Sequence, residues 1–232
     1  MSKKVILLLE TATTACSVAL CEAGDVIAVK EINERNVHAS LLTLFIEDVM
    51  KTSGKKYSDL DAVAVSKGPG SYTGLRIGVS TAKGICYALD IPLISVDTLE
   101  AMAHGILKQE KIHASAFLIP MIDARRMEVY TAIYKADLSL IEPVTAKIVD
   151  SNTFNYYGDN RLILFGDGSY KFQELFEESS HIRFLGFENS AAHLSHLADK
   201  KLSSGEIENM AYFEPFYLKD FLAGKPENFP RT

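Results

Sequence analysis

The chain has 232 residues, 47% of them hydrophobic, with 24 basic against 30 acidic side chains and a net charge of -6. That content is too apolar for intrinsic disorder, and the length supports one or two domains with a hydrophobic core that needs no staples. The acids and bases are spread evenly, which excludes a polycation-type nucleic-acid binder and leaves RNA contact to a local patch or a partner.

The apolar run 5–9 reads as a buried strand ending in an acid, Glu10. It is far too short for a signal peptide or a membrane span, so the chain is expected in the cytoplasm. Strands over 17–21 and 26–32 follow, with Gly24-Asp25 as a hairpin turn signal between them. Residues 38–50 have helical periodicity, a strand over 60–65 leads into SKGPGSYTG, and 72–88 reads as a helix. A strand over 92–96 and a helix over 99–108 complete this half, and such alternation implies parallel pairing.

The opening pattern then recurs. The run 117–122 ends in Asp123, and strands over 128–134 and 140–144 follow around a turn at 135–139. Superposing Glu10 on Asp123 aligns LLLETATTACSVAL with LIPMIDARRMEVYTA. A repeat of about half the chain predicts two similar α/β lobes. The expected division is an N-terminal lobe over 1–110 and a trimmed second copy over 111–232. In the second copy the pattern gives a strand over 162–165, a turn at Gly166-Asp167-Gly168, helices near 170–177 and 191–200, and an irregular tail.

Several features could carry chemistry. The loop Gly68-Pro69-Gly70-Ser71-Tyr72-Thr73-Gly74 lies between a strand and a helix, where backbone N–H groups can face an anion. It is neither a P-loop nor a GxGxxG fingerprint, and a tight strand-to-helix turn with Ser71 or Thr73 near the N-cap is the favoured account over an anion site. In the helix that follows, Gly74, Gly78 and Ala82 form a small-residue stripe, suited to close packing in the same lobe or against another subunit. The helix over 38–50 has Leu42, Phe45, Ile46 and Val49 on one face, yet Ala39, Leu41 and Leu44 fall outside it. A helix apolar on most of its circumference is either fully buried or packed on a partner. Glu10 and Asp123, placed symmetrically by the repeat, can hold magnesium for phosphate chemistry or bond nearby loop N–H groups.

Other signatures are missing. Cys16, Cys21 and Cys86 are an odd set with no CxxC pair, which reads as buried thiols. His193 and His196 sit at i, i+3 with no acid nearby in sequence, and no HExxH, HxxxH or Gly-x-Ser-x-Gly motif occurs.

The stretches LLLETATTACSVAL, His38 with its apolar helix, SKGPGSYTGLRIGVSTAKGICYA, DARRMEVYTAIY, FGDGSYKF and PFYLKDF span essentially the whole chain. Together they resemble the TsaB (YeaZ) family, the glycoprotease-like bacterial tRNA threonylcarbamoyladenosine biosynthesis proteins, and GPGSYTGLRIG is the most specific of them. The resemblance implies two ribonuclease-H-like lobes of the actin, Hsp70 and sugar-kinase (ASKHA) superfamily. It implies a non-catalytic scaffold of the complex that places threonylcarbamoyl on the adenosine 3′ of the anticodon. The implied partners are a TsaD-type catalytic subunit, a TsaE-type ATPase, tRNA through the complex, and a second copy when the chain is alone. On this reading His38, Leu41, Leu44, Phe45 and Asp48 of the first helix and Gly74, Arg76, Gly78 and Ala82 of the second form the partner surface. The catalytic relative carries a His-x-x-x-His metal pair where this chain has Thr98 and Met102, with His104 off the expected face. No metal site and no required cofactor are therefore expected. The fold's nucleotide cleft would fall at Glu10, Thr11, Gly68, Gly70, Ser71, Asp123, Gly166 and Gly168. Glu10-Thr11-Ala12 replaces the usual Asp-Thr-Ser, which argues for ATP and magnesium held weakly or through partners. An ATP-dependent phosphotransferase is the alternative function, and a glycoprotease-type metallopeptidase ranks after it.

Overall fold

The computed structural model describes residues 3–219; the expected motif positions 220–221 and the rest of the tail lie outside them. Strands β1 (Val5–Glu10), β2 (Ala15–Glu22) and β3 (Asp25–Asn33) form an antiparallel meander. Strands β4 (Ala62–Gly68) and β5 (Leu93–Asp97) add to β1 in parallel, giving the order β3-β2-β1-β4-β5. Every residue of β1 is buried, as a central strand covered on both faces requires. The helices α1 (His38–Ser53), α2 (Tyr72–Leu89) and α3 (Thr98–Gln109) occupy the connections.

The second sheet repeats this plan. Strands β6 (Phe117–Asp123), β7 (Glu128–Lys135), β8 (Leu140–Ile148), β9 (Leu162–Phe165) and β10 (Ile182–Leu185) lie in the order β10-β9-β6-β7-β8, the same connectivity read from the other edge. The trimming has a concrete form. Where the first sheet has α1 and α2 as crossovers, the second has single 3-10 turns at Asn155–Tyr157, Tyr170–Phe172 and Glu174–Phe176. The helix expected near 170–177 is thus two such turns, and β10 has no counterpart in the expected elements.

The segment after β10 departs from the expected division. The turn Ala191–Leu194 and helix α4 (Ser195–Ser204) return to the first lobe, where Ala191, Leu194 and Ala198 pack on Ile6, Leu8, Ala19, Ala62 and Ala64. Small residues on both sides allow the close approach. Ser17 and Ser190 both donate to one oxygen of Glu31, at 2.8 and 2.6 Å, and the Ala191 N–H donates to Ser17 Oγ at 2.9 Å.

Helices α1 and α2 cover the opposite face, with Leu42, Phe45, Ile46, Val49, Val79, Ala82 and Cys86 among the buried contacts. The Ser71 side chain caps α2 by accepting the Gly74 N–H at 3.3 Å. The stripe Gly74, Gly78 and Ala82, open to packing in the same lobe or against another subunit, points into its own lobe. A Cβ on Gly74 would collide with the Thr11 carbonyl oxygen, one on Gly78 with Thr11 Oγ1, and Ala82 is fully buried. Thr11 Oγ1 donates to the Gly74 carbonyl at 2.9 Å, so strand end and helix are bonded as well as packed. Gly78→Ala should cost about 1–3 kcal/mol through overpacking, and Thr11→Ala in the same chain should recover part of it. Urea unfolding of the two single variants and the double reads this coupling; strictly additive losses would show that Thr11 is not the obstacle.

Candidate functional site

A cleft of about 800 Å3 runs between the lobes. The first lobe contributes Ala12, Thr13, Thr14, Arg35, His38 and the loop Gly70–Gly74; the second contributes Asp123, Arg125, Tyr130 and Asp167; Tyr217, Leu218 and Lys219 of the tail reach its rim. Of the residues expected to hold a nucleotide, Gly70, Ser71 and Asp123 line this cleft, and Glu10, Thr11, Gly68, Gly166 and Gly168 do not.

Glu10 explains the difference. It is 1% exposed, and its carboxylate accepts the Ala12 N–H at 2.7 Å and the Ser66 hydroxyl. Burial pushes its pKa up to about 7, against the lowering effect of those bonds. A carboxyl held inside the lobe by its own neighbours does not present oxygens to a cation in the cleft. The glycine loop is occupied in the same way. The Ser71 N–H donates to the Ala12 carbonyl at 2.6 Å, and a Cβ on Gly70 would collide with that carbonyl. The Ser71 N–H is thus bonded to the β1–β2 connection and the Gly74 N–H to Ser71 Oγ, so neither is free for a phosphate, and with Glu10 turned inward these residues do not fit a magnesium–nucleotide cradle.

In the second lobe Asp123 is paired with Lys171 at 2.6 Å and accepts the Arg125 N–H at 3.1 Å. Asp167, exposed at the cleft, accepts the Asp123 N–H at 3.0 Å, and desolvation of its carboxyl raises its pKa. Gly166 and Gly168 press against the backbone of β6 and the Met102 side chain.

At the positions expected to replace the metal pair, Thr98 and Met102 are both buried, and Met102 packs in the core between α3 and the second sheet. His104 turns away to His196, ring centroids 5.5 Å apart, and His193 packs on Phe187 at 5.0 Å. Among the described residues no group of three or more His, Cys, Asp and Glu side chains is arranged to hold a metal. Cys16, Cys21 and Cys86 are buried free thiols, each with its pKa raised by burial.

The expected partner surface divides. His38 is buried, with Nε2 3.1 Å from the Ala15 carbonyl oxygen, and Phe45 is core. Gly74, Gly78 and Ala82 are internal, as described above. Leu41 is half-buried, while Leu44 (52% exposed), Asp48 and Arg76 stand on the outer face of α1 and α2. Asp48 is 3.9 Å from Lys30 of β3. Sequence reasoning missed Arg35, Arg125, Tyr130 and the tail as cleft residues. The left-handed backbone of Asn36, Arg125 and Arg126 marks the loops concerned, but no motif announces it.

Two lobes of identical strand connectivity, joined around a cleft, define the fold of the actin-like and sugar-kinase superfamily, here with the phosphate loop filled from inside. The model of the tRNA N6-adenosine threonylcarbamoyltransferase family (TsaD) matches residues 29–222. The tRNA threonylcarbamoyladenosine biosynthesis protein TsaB of Escherichia coli is 32% identical over 229 residues, 95% of this chain and 96% of that protein. Its Bacillus subtilis counterpart is 34% identical over 139 residues, 60% of this chain and 58% of that protein. YeaZ from Pseudomonas aeruginosa has the same fold, with a TM-score of 0.79 at 24% identity, covering 94% of this chain and 100% of that one. An ADPNP-bound dehydratase activator from Clostridium difficile shares the fold more distantly, with a TM-score of 0.52 at 11% identity over 90% of this chain and 99% of that one. The chain belongs to the TsaB (YeaZ) family of tRNA threonylcarbamoyladenosine biosynthesis proteins.

The buried carboxyl makes stability depend on pH. Glu10 has a folded pKa of about 7 against 4.5. Its protonated form is the one the fold accommodates, so stability is full below pH 4.5 and falls as pH rises through 7. His104 and His193, pushed down to about 4 by burial, act in the other direction: their contribution is full above pH 6.5 and is lost as pH falls toward 4. Glu10→Gln should therefore gain up to about 3 kcal/mol on the wild type between pH 4.5 and 8. The histidines cancel in that comparison. Urea unfolding at pH 4.5 and 8 reads the difference, and a gap that does not widen with pH would refute the burial argument.

Proposed function

We propose that this chain is a non-catalytic scaffold subunit of the complex that installs threonylcarbamoyl on the adenosine 3′ of the anticodon. It dimerises with a TsaD-type catalytic subunit and supports its activity. A TsaE-type ATPase and tRNA join through the complex, and without the partner the same face pairs two copies of this chain.

One observation carries the reading: the groups that would hold a nucleotide or metal are engaged by the chain's own neighbours. Ala12 fills the glycine loop, Ser66 and the Ala12 N–H hold Glu10, and Met102 packs in the core. On this reading the chain's contribution is made at its surface. The outer face of α1 and α2 is suited to that role. Leu44 is an exposed apolar anchor on α1, and the exposed Asp48 of α1 and Arg76 of α2 add charges of opposite sign.

Leu44→Arg should reduce co-purification with the TsaD-type subunit at least about tenfold. Its thermal unfolding should match the wild type, because the site is exposed. Unchanged binding would move the interface elsewhere. Gly78 is unsuitable for this test, since any side chain there meets Thr11. Calorimetry with ATP and magnesium separates the enzymatic alternative. The expected result is no saturable binding at sub-micromolar concentration; tight binding abolished by Glu10→Ala would revive a phosphotransferase.

A further inference from the structure

Residues 207–219 leave α4 and cross the first lobe toward the second. The early part is firmly held. The Glu208 N–H donates to the Leu93 carbonyl of the edge strand β5 at 2.8 Å, and Met210 and Phe213 pack on the core beneath α2. Lys83 Nζ donates to the Phe213 carbonyl at 3.1 Å.

Among the described residues the later part is held by a few separate contacts, among them the Phe216 carbonyl set close against Gly68, and by little burial. The Phe216 N–H donates to the Lys67 carbonyl at 2.7 Å, at the end of β4. The Tyr217 ring lies 4.8 Å from the Tyr72 ring at 35°. Lys219, itself exposed, pairs with Glu128 at the start of β7 in the other lobe. Tyr217, Leu218 and Lys219 thereby line the cleft rim. Segments with few buried apolar contacts open at low cost relative to the fold they lie on.

These contacts reach the proposed docking face. Arg76 donates to the Tyr72 hydroxyl at 2.9 Å, and its guanidinium sits 5.2 Å from the Tyr72 ring centroid. Tyr217, Tyr72 and Arg76 form one chain of contacts from the tail to the outer surface of α2.

We propose that residues 214–219 are a releasable strap, which covers the cleft rim and the first turn of α2 in cis and competes with the catalytic partner for the Tyr72–Arg76 surface. The competition rests on the scaffold reading above; the strap itself does not. While the strap is seated, Tyr72 is stacked from the tail side and Arg76 is drawn onto Tyr72. A partner carboxylate or aromatic group that takes Arg76 must disturb that arrangement. The apparent affinity is then reduced by the fraction of molecules in which the strap is closed.

The test uses the full chain. Hydrogen exchange is compared in wild type, Tyr217→Ala, Tyr217→Phe and Lys219→Glu, with titration of the TsaD-type subunit as a second readout. Tyr217→Ala and Lys219→Glu should speed exchange of the Phe216 amide about tenfold or more and leave β1 unchanged. Tyr217→Phe, which keeps the ring, should behave as wild type. Glu128→Lys added to Lys219→Glu should restore protection. The two loosened variants should bind the partner about three- to tenfold more tightly. Unchanged exchange at Phe216 overturns the strap. Faster exchange with equal or weaker partner binding overturns the competition and leaves docking intact. A wild-type chain that does not bind the partner sinks the scaffold reading and the competition together, while exchange still decides the strap.

Discussion

The seating of the Thr11–Ala12 backbone against the glycine face of α2 is the contact on which the rest of the molecule depends. Gly70, Gly74 and Gly78 each lie where a Cβ would meet Thr11 or Ala12. Glycine in a helix interior costs roughly 1 kcal/mol relative to alanine. Two such positions in one helix are offset by the fit they permit: a hydrogen bond from Thr11 to Gly74 and one from Ser71 N–H to Ala12. Both the strand-end carboxylate of Glu10 and the Ser71 N–H of the loop are turned to Ala12, the one accepting from its N–H and the other donating to its carbonyl.

That internal closure has two consequences. Glu10, at the end of a fully buried strand, loses its water and finds only Ser66 and the N–H groups of Thr11 and Ala12 in exchange. It persists as a buried acid whose neutral form the fold prefers. The second consequence is orientation. Once its small-residue side is committed to Thr11, α2 must turn Arg76, Ser80, Gly84 and Tyr87 outward beside the exposed residues of α1. The inner fit therefore decides which face is free for a partner.

The two meanders were legible because buried strands ending in an acid and tight turns are local signals. The repeat between Glu10 and Asp123 appears in the structure as matching strand connectivity. The glycine stripe was legible as a packing device, but spacing cannot say which surface it packs on; only Thr11, 63 residues from Gly74, decides that. β10 escaped because its four residues alternate weakly and pair with β9 alone. The 3-10 turns at 170–176 have a helix-like pattern too short to propagate. The return of 191–204 to the first lobe depends on alanines meeting alanines across a sheet, a match of shape that hydropathy does not encode. The cleft role of Tyr217 and Lys219 arises from a path over the surface, with no periodicity to betray it.

Helix α3 determines what the cleft can do. Leu99, Met102, Ala103 and Ile106 pack into the core of the second sheet, while Ala101 packs into that of the first. Gly105 admits the His193 ring so closely that a Cβ would lie 2.6 Å from it. Substrate closure in two-lobed proteins needs a few residues that absorb rotation between rigid bodies. A helix buried on both sides, stitched to a segment that itself returns from the second lobe to the first, resists such rotation. Interiors this closely packed resist continuous deformation. The cleft is thus a groove between two lobes tied through α3 and the returning segment, and its rim is decorated by the tail. Of the surfaces the fold leaves open, the outer face of α1 and α2 and the segments that lie upon it are the ones least committed to the interior.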